Sequence, residues 1–122
     1  MSSPVTRPRV LFVEDAPDLR RAYERYFSDR YQIAFAGTGA EAVQQTEAFA
    51  PEVVVLDMRL PDTDGVEVLR DLQQRSPGLK VVITSAYSSM EPIVEVLGLP
   101  YSRYLVKPFD LHDLEAAIDG AR

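Results

Sequence analysis

Two hydrophobic periods alternate along the chain. Short apolar runs recur at Val10-Leu11-Phe12-Val13, Val53-Val54-Val55-Leu56, Val81-Val82-Ile83 and Tyr104-Leu105-Val106. The run before Asp57 holds four apolar residues, three of them β-branched. Such a run predicts a strand buried on both faces, as at the centre of a parallel sheet. A further strand is expected over about Tyr31 to Ala36, after the turn Ser28-Asp29-Arg30.

Between the runs the period lengthens. Leu19, Ala22, Tyr23, Tyr26 and Phe27 form an amphipathic stripe behind Pro17, a residue suited to a first helical turn. Thr38 and Glu41 make a capping-box pattern that opens a helix through about Ala48, and Pro51 closes the unit. The turn formers Pro61-Asp62-Thr63-Asp64-Gly65 precede a third stripe of Val68, Leu69 and Leu72. A fourth, short helix is expected over Ile93 to Leu97, cut off by Gly98 and Pro100. Asp110 is placed to cap a last helix whose Leu111, Leu114, Ala117 and Ile118 share a side. The order is strand–helix five times. Right-handed crossovers then give an α/β fold with a doubly wound parallel sheet, and the expected strand order is 2-1-3-4-5, of flavodoxin type.

Composition narrows the class. With 122 residues, 46% of them hydrophobic and 26% charged, the chain suits one soluble domain with its own core. Residues 1–8 read as a flexible tail and 9–122 as the domain. The lack of cysteine excludes disulfides and thiolate metal sites and fits a cytoplasmic protein. No apolar run has membrane-spanning length. A formal charge of -6 argues against a nucleic-acid surface.

Ligands of such sheets bind at the carboxyl ends of the strands. There the first expected strand ends in Glu14-Asp15, the third in Asp57, the fourth in Thr84-Ser85, and the fifth in Lys107. Taken singly, each has a plain reading: a helix start, a loop start, a turn serine, a surface lysine. Together they put three carboxylates, a hydroxyl and an ammonium on one edge. Carboxylates so crowded repel one another, and Mg²⁺ relieves this while keeping sites for phosphate oxygens. An aspartate beside such an ion is a nucleophile towards phosphorus. A competing pattern, G-x-G-x-x-A over Gly37-Thr38-Gly39-Ala40-Glu41-Ala42, resembles a dinucleotide fingerprint. It follows the second strand rather than the first, and the capping box already accounts for its Thr and Glu.

These motifs resemble the receiver domain of two-component response regulators over about Arg9 to Ile118. The resemblance rests on Glu14-Asp15, on Leu-Asp57-Met-Arg-Leu-Pro61 with Gly65, on Ser85-Ala86-Tyr87, and on Tyr104-Leu-Val-Lys107-Pro108-Phe109. It implies that Asp57 is the phosphoacceptor. It further implies that Asp15, Asp57 and the backbone carbonyl of Arg59 hold Mg²⁺, with Glu14 acting largely through water. Ser85 and Tyr104 would be the switch pair. Lys107 would contact the phosphoryl oxygens, and its bond to Pro108 would be cis. The implied partners are a histidine kinase or histidine phosphotransfer protein, and an output domain or downstream protein on the face of the fourth helix, fifth strand and fifth helix. That face also allows a homodimer.

The chain departs from the family at Gly98-Leu99-Pro100-Tyr101, where a small Gly-Ala pair is usual. Bulky Arg59 and Tyr87 stand where the family tunes loss of the phosphoryl group, so both are expected to shield it. His112 has no kinase motif around it, so the donor is expected to be another molecule. The expected function is a phosphoacceptor switch that catalyses only its own phosphorylation and dephosphorylation. A phosphorylation-independent interaction module is the alternative. An aspartate-nucleophile phosphatase fits less well, because Arg59 stands where its second acid belongs. With no output domain after the fifth helix, both a stand-alone receiver and a segment of a larger regulator are open.

Overall fold

The computed structural model describes residues 7–86 and 97–122. The predicted fourth helix and Tyr87 fall outside the described residues, apart from Leu97, which lies in a turn. Five strands, β1 (Arg9–Val13), β2 (Gln32–Ala36), β3 (Val53–Asp57), β4 (Lys80–Ser85) and β5 (Arg103–Val106), form one parallel sheet in the order β2-β1-β3-β4-β5. Every residue of β3 is buried, as its unbroken apolar run requires of a strand covered on both faces.

Alternation along the strands divides the core in two. Leu11, Val13, Val54, Leu56, Val81 and Ile83 point to one face, where α2 (Gly39–Phe49) and α3 (Gly65–Arg75) supply Ala42, Val68, Leu69 and Leu72. Val10, Phe12, Val53, Val55 and Val82 point to the other, against Tyr23 and Phe27 of α1 (Pro17–Phe27) and Leu114, Ala117 and Ile118 of the C-terminal helix (Leu111–Ala121). Phe12 stacks on Tyr23 and Phe27 at centroid distances of 4.9 and 5.4 Å. Each such fully buried side chain contributes about 1.5–3 kcal/mol.

Local chemistry sets the helix ends. Thr38 Oγ1 accepts from Glu41 N at 3.1 Å, the expected cap of α2, and Asp64 Oδ1 accepts from Glu67 N at 3.0 Å to cap α3. The C-cap of α2 is Ala50 at φ 52°, a left-handed position normally given to glycine. Two expectations shift. Tyr31 lies just outside β2, because its ring packs on Phe27 and its hydroxyl donates to Asp119 Oδ1 at 2.6 Å. Asp110 occupies the N-cap position of the C-terminal helix, yet its side chain makes no cap bond. Its carbonyl accepts from Asp113 N and Leu114 N instead.

Candidate phosphoacceptor and metal site

Parallel registry brings the four strand ends together. Val13 pairs with Leu56, Asp57 with Thr84, and Ser85 with Val106, so Glu14, Asp57, Ser85 and Lys107 emerge side by side. Backbone bonds extend the ladder past the strands: Met58 N donates to Thr84 O at 3.0 Å, and Lys107 N to Ser85 O at 2.7 Å. Gly65 backs this floor closely. A Cβ there would meet Met58 Cα at 2.5 Å and Asp57 O at 2.9 Å, so only glycine admits the approach.

Glu14, Asp15 and Asp57 each offer a carboxylate oxygen, all within 4.8 Å of one another. Glu14 and Asp57 are buried and Asp15 is exposed. Glu14 is fixed at both oxygens: Oε2 accepts from Ala16 N at 3.2 Å, and Oε1 meets Lys107 Nζ at 2.9 Å. The same ammonium lies 3.3 Å from Asp57 Oδ2. Asp57 Oδ1 accepts a long bond of 3.4 Å from Arg59 N.

The electrostatics follow from this crowding. Burial, then the neighbouring Glu14 charge, push Asp57 up to about 6, against the pull of Lys107 and the Arg59 N–H. Burial alone would lower Lys107, but the bond to Glu14 and the charges of Asp57 and Glu14 outweigh it and hold it above its ordinary value. A cleft of about 490 Å³ opens over these groups, lined also by Arg59, Pro61, Ser85 and Ala86.

The donors are all hard carboxylate oxygens, close enough to repel, and one faces solvent. That set fits a hard divalent cation such as Mg²⁺ and offers nothing to a thiophilic metal. Glu14, Asp15 and Asp57 could hold it, and Arg59 lines the same cleft. Ser85 is buried at the end of β4. Tyr104 pairs with Ile83, two residues before Ser85, so alternation puts Tyr104 and Ser85 on one face of the sheet. Tyr104 is half-buried against the Leu11–Ile83 cluster. The Lys107–Pro108 bond is cis.

Two residues near the site were not legible as such in the sequence. Tyr23, one stripe residue among several, is 1% exposed, and its hydroxyl has no hydrogen-bond partner among the described residues. Burial, then the charges of Glu14 and Asp57, hold that phenol above its usual range, which places it in the electrostatic reach of the site. Asp62, one of several turn formers, accepts from Gly39 N at 2.8 Å and Ala40 N at 3.2 Å. The G-x-G-x-x-A segment is thus closed by the protein's own carboxylate.

The comparisons with known proteins agree with this geometry. The family profile "Response regulator receiver domain" matches residues 10–119. The transcriptional regulatory protein PrrA of Mycobacterium bovis is 37% identical over 119 residues, covering 97% of this chain and 51% of its own length. The regulatory protein AtoC of Escherichia coli is 30% identical over 114 residues, covering 93% of this chain and 25% of AtoC. The chain therefore spans about half or less of the curated relatives it matches. Among solved structures, the receiver domain of a putative LuxO repressor protein from Vibrio parahaemolyticus superposes with a TM-score of 0.83 at 33% identity, covering 93% of this chain and 88% of that one. A CheY-like receiver domain from Methanospirillum hungatei gives 0.86 at 26% identity, covering 93% and 92%. No helix among the described residues is long and apolar enough to cross a membrane. Fold, strand-end chemistry and family profile coincide, and the chain belongs to the receiver domains of two-component response regulators, which are signalling modules rather than conventional enzymes.

Proposed function

We propose that residues 9–122 form a phosphoacceptor domain in which Asp57 takes a phosphoryl group from the phosphohistidine of a histidine kinase or phosphotransfer protein. An Asp57 carboxylate oxygen forms the new bond to phosphorus. The phosphorus–nitrogen bond of the donor breaks, and its electron pair leaves with the imidazole, which takes up a proton. The observation that carries this reading is the Lys107 ammonium, held between Glu14 and the buried Asp57 at the floor of an open cleft.

Mg²⁺ bound by Asp15, Asp57 and the Arg59 carbonyl would supply charge neutralisation for the phosphoryl oxygens. Glu14 orients Lys107 and Ala16 N around that position. Lys107 is placed to turn from Asp57 to a phosphoryl oxygen, and Ser85 to offer its hydroxyl to another. Tyr104, on the same face of the sheet as Ser85, is the group through which the change would pass to the surface around β5. An output domain or downstream protein docks there, and so would a second copy if the domain dimerises. The setting is cytoplasmic, and no direct contact with nucleic acid is part of the reading.

The test is intact mass after incubation with a small-molecule phosphodonor, with and without Mg²⁺, beside Asp57→Asn. The expected result is one phosphoryl group gained by the wild-type chain, dependent on both Mg²⁺ and Asp57. A folded wild-type chain that gains none from several donors would sink the reading in favour of a phosphorylation-independent interaction module.

A further inference from the structure

The loop from β3 to α3 is closed on itself by two contacts. Gly65 N donates to Met58 O at 2.7 Å, and Arg59 and Asp64 pair as an isolated antiparallel bridge. A third contact reaches outward. Asp62 Oδ1 and Oδ2 accept from Gly39 N and Ala40 N, the first two amides of α2. Gly39 makes room for it, since a Cβ there would stand 2.6 Å from Thr63 Cγ2 and 3.0 Å from Val68 Cγ2.

Resting on the Mg²⁺ reading above, the geometry points to Asp62 as a positioning residue of the metal site. Its carboxylate clamps the loop onto α2 and so sets where the Arg59 backbone carbonyl stands relative to Asp57. Only Leu60 and Pro61 separate Arg59 from Asp62, and the proline ring fixes one dihedral of that short span. Leu60 is buried, which removes more slack. A displacement of Asp62 therefore acts on Arg59 through a short, stiff span. The Asp62 charge is spent on two N–H groups and on the positive end of α2, so it steers the loop without competing for the cation.

Such coupling is reciprocal. If the clamp favours the loop position that binds the cation, cation binding tightens the clamp. The experiment is an Mg²⁺ titration of the wild-type chain, Asp62→Ala and Asp62→Asn. Affinity is read from the amide signals of Met58 and Arg59, hydrogen exchange is read at Gly39 and Ala40, and thermal unfolding is run alongside. Asp62→Ala should bind Mg²⁺ about tenfold more weakly, the usual scale for losing a group that orients a metal ligand. Asp62→Asn, which keeps one acceptor oxygen, should fall between. In the wild-type chain, Mg²⁺ should slow exchange at Gly39 and Ala40, and this slowing should vanish in Asp62→Ala. Equal Mg²⁺ affinity in wild type and a folded Asp62→Ala, even with a lower melting point, would overturn the positioning role and leave the metal reading intact. A wild-type chain that binds no Mg²⁺ would overturn both.

Discussion

Asp57 and Asp62 lie five residues apart on one strand-loop segment, yet their carboxylates live in opposite circumstances. Asp57 is buried beside Glu14, receives one long backbone bond and shares the Lys107 ammonium with Glu14, and burial still pushes it up to about 6. Asp62 is exposed, and the Gly39 amide, helped by that of Ala40, keeps its carboxyl below the usual range. One acid is left with unmet electrostatic demand and is therefore available for chemistry. The other is satisfied and serves as structure. The comparison also separates two sequence patterns that both suggested phosphate. The acidic strand ends converge on a cleft, while the glycine-rich turn after β2 is filled from within.

The sharpest way to break the comparison is to disturb the glycine behind each acid. Gly65→Ala should cost about 3 kcal/mol or more in chemical denaturation, because its new methyl meets backbone atoms of Asp57 and Met58 that cannot yield. Equal stability to wild type would show that the floor under Asp57 is softer than drawn here. The next effect is electrostatic. In metal-free protein the folded state keeps the Asp57 proton up to about 6 against an ordinary 3.8. Its contribution to stability is therefore greatest below that ordinary value and falls as pH rises towards 6. Asp57→Asn should abolish this fall and gain about 2 kcal/mol at neutral pH, allowing for solvent at the cleft mouth. Urea titrations from pH 3.5 to 7.5 in chelator test both the sign and the size. The lowered Asp62 works in the other sense: its contribution is present above the ordinary carboxylate range and is lost as acid is added below it.

Gly39→Ala should cost about 1–2 kcal/mol, less than Gly65→Ala, because the clashing atoms belong to the side chains of Thr63 and Val68. A reversed ranking in parallel denaturation curves would mean that the turn after β2, not the site floor, is the tighter joint. The smallest effect concerns the phenol under the acidic cluster. Tyr23→Phe should raise stability by about 1 kcal/mol, since it removes a buried hydroxyl that has no partner among the described residues. A loss of stability would reveal that the hydroxyl is bonded in solution.

Much of this was legible before any coordinates. The β3 run read as a two-faced strand, five alternating units with right-handed crossovers implied a parallel sheet covered on both faces, and the expected flavodoxin-type order is the one observed. The strand-end residues Glu14, Asp15, Asp57, Ser85 and Lys107 were recognisable because a parallel sheet must gather them. What escaped was whatever depends on distance in space without periodicity in sequence. Nothing in Pro61-Asp62-Thr63 says that Asp62 reaches back 23 residues to Gly39. Nothing in the α1 stripe distinguishes Tyr23 from Tyr26, although one is sealed under the site and the other donates to Glu115 at 3.1 Å. Asp110 shows the converse error. Its position was right, but the carbonyl supplies the bonds that its side chain was expected to make.

The bridging lysine leaves the cleft floor short of positive charge. Three carboxylates crowd a single ammonium at the cleft floor, with the Arg59 side chain also lining the cleft, so the floor itself carries excess negative charge that a dication offsets better than a monovalent ion does. On the proposed Mg²⁺ reading, preference over Na⁺ and K⁺ would begin with this local charge, ahead of any fine fit of ligand geometry. With the cation in place, an arriving phosphoryl dianion would then meet a less repulsive pocket. On the proposed reading, the cation would therefore bind before the phosphoryl donor.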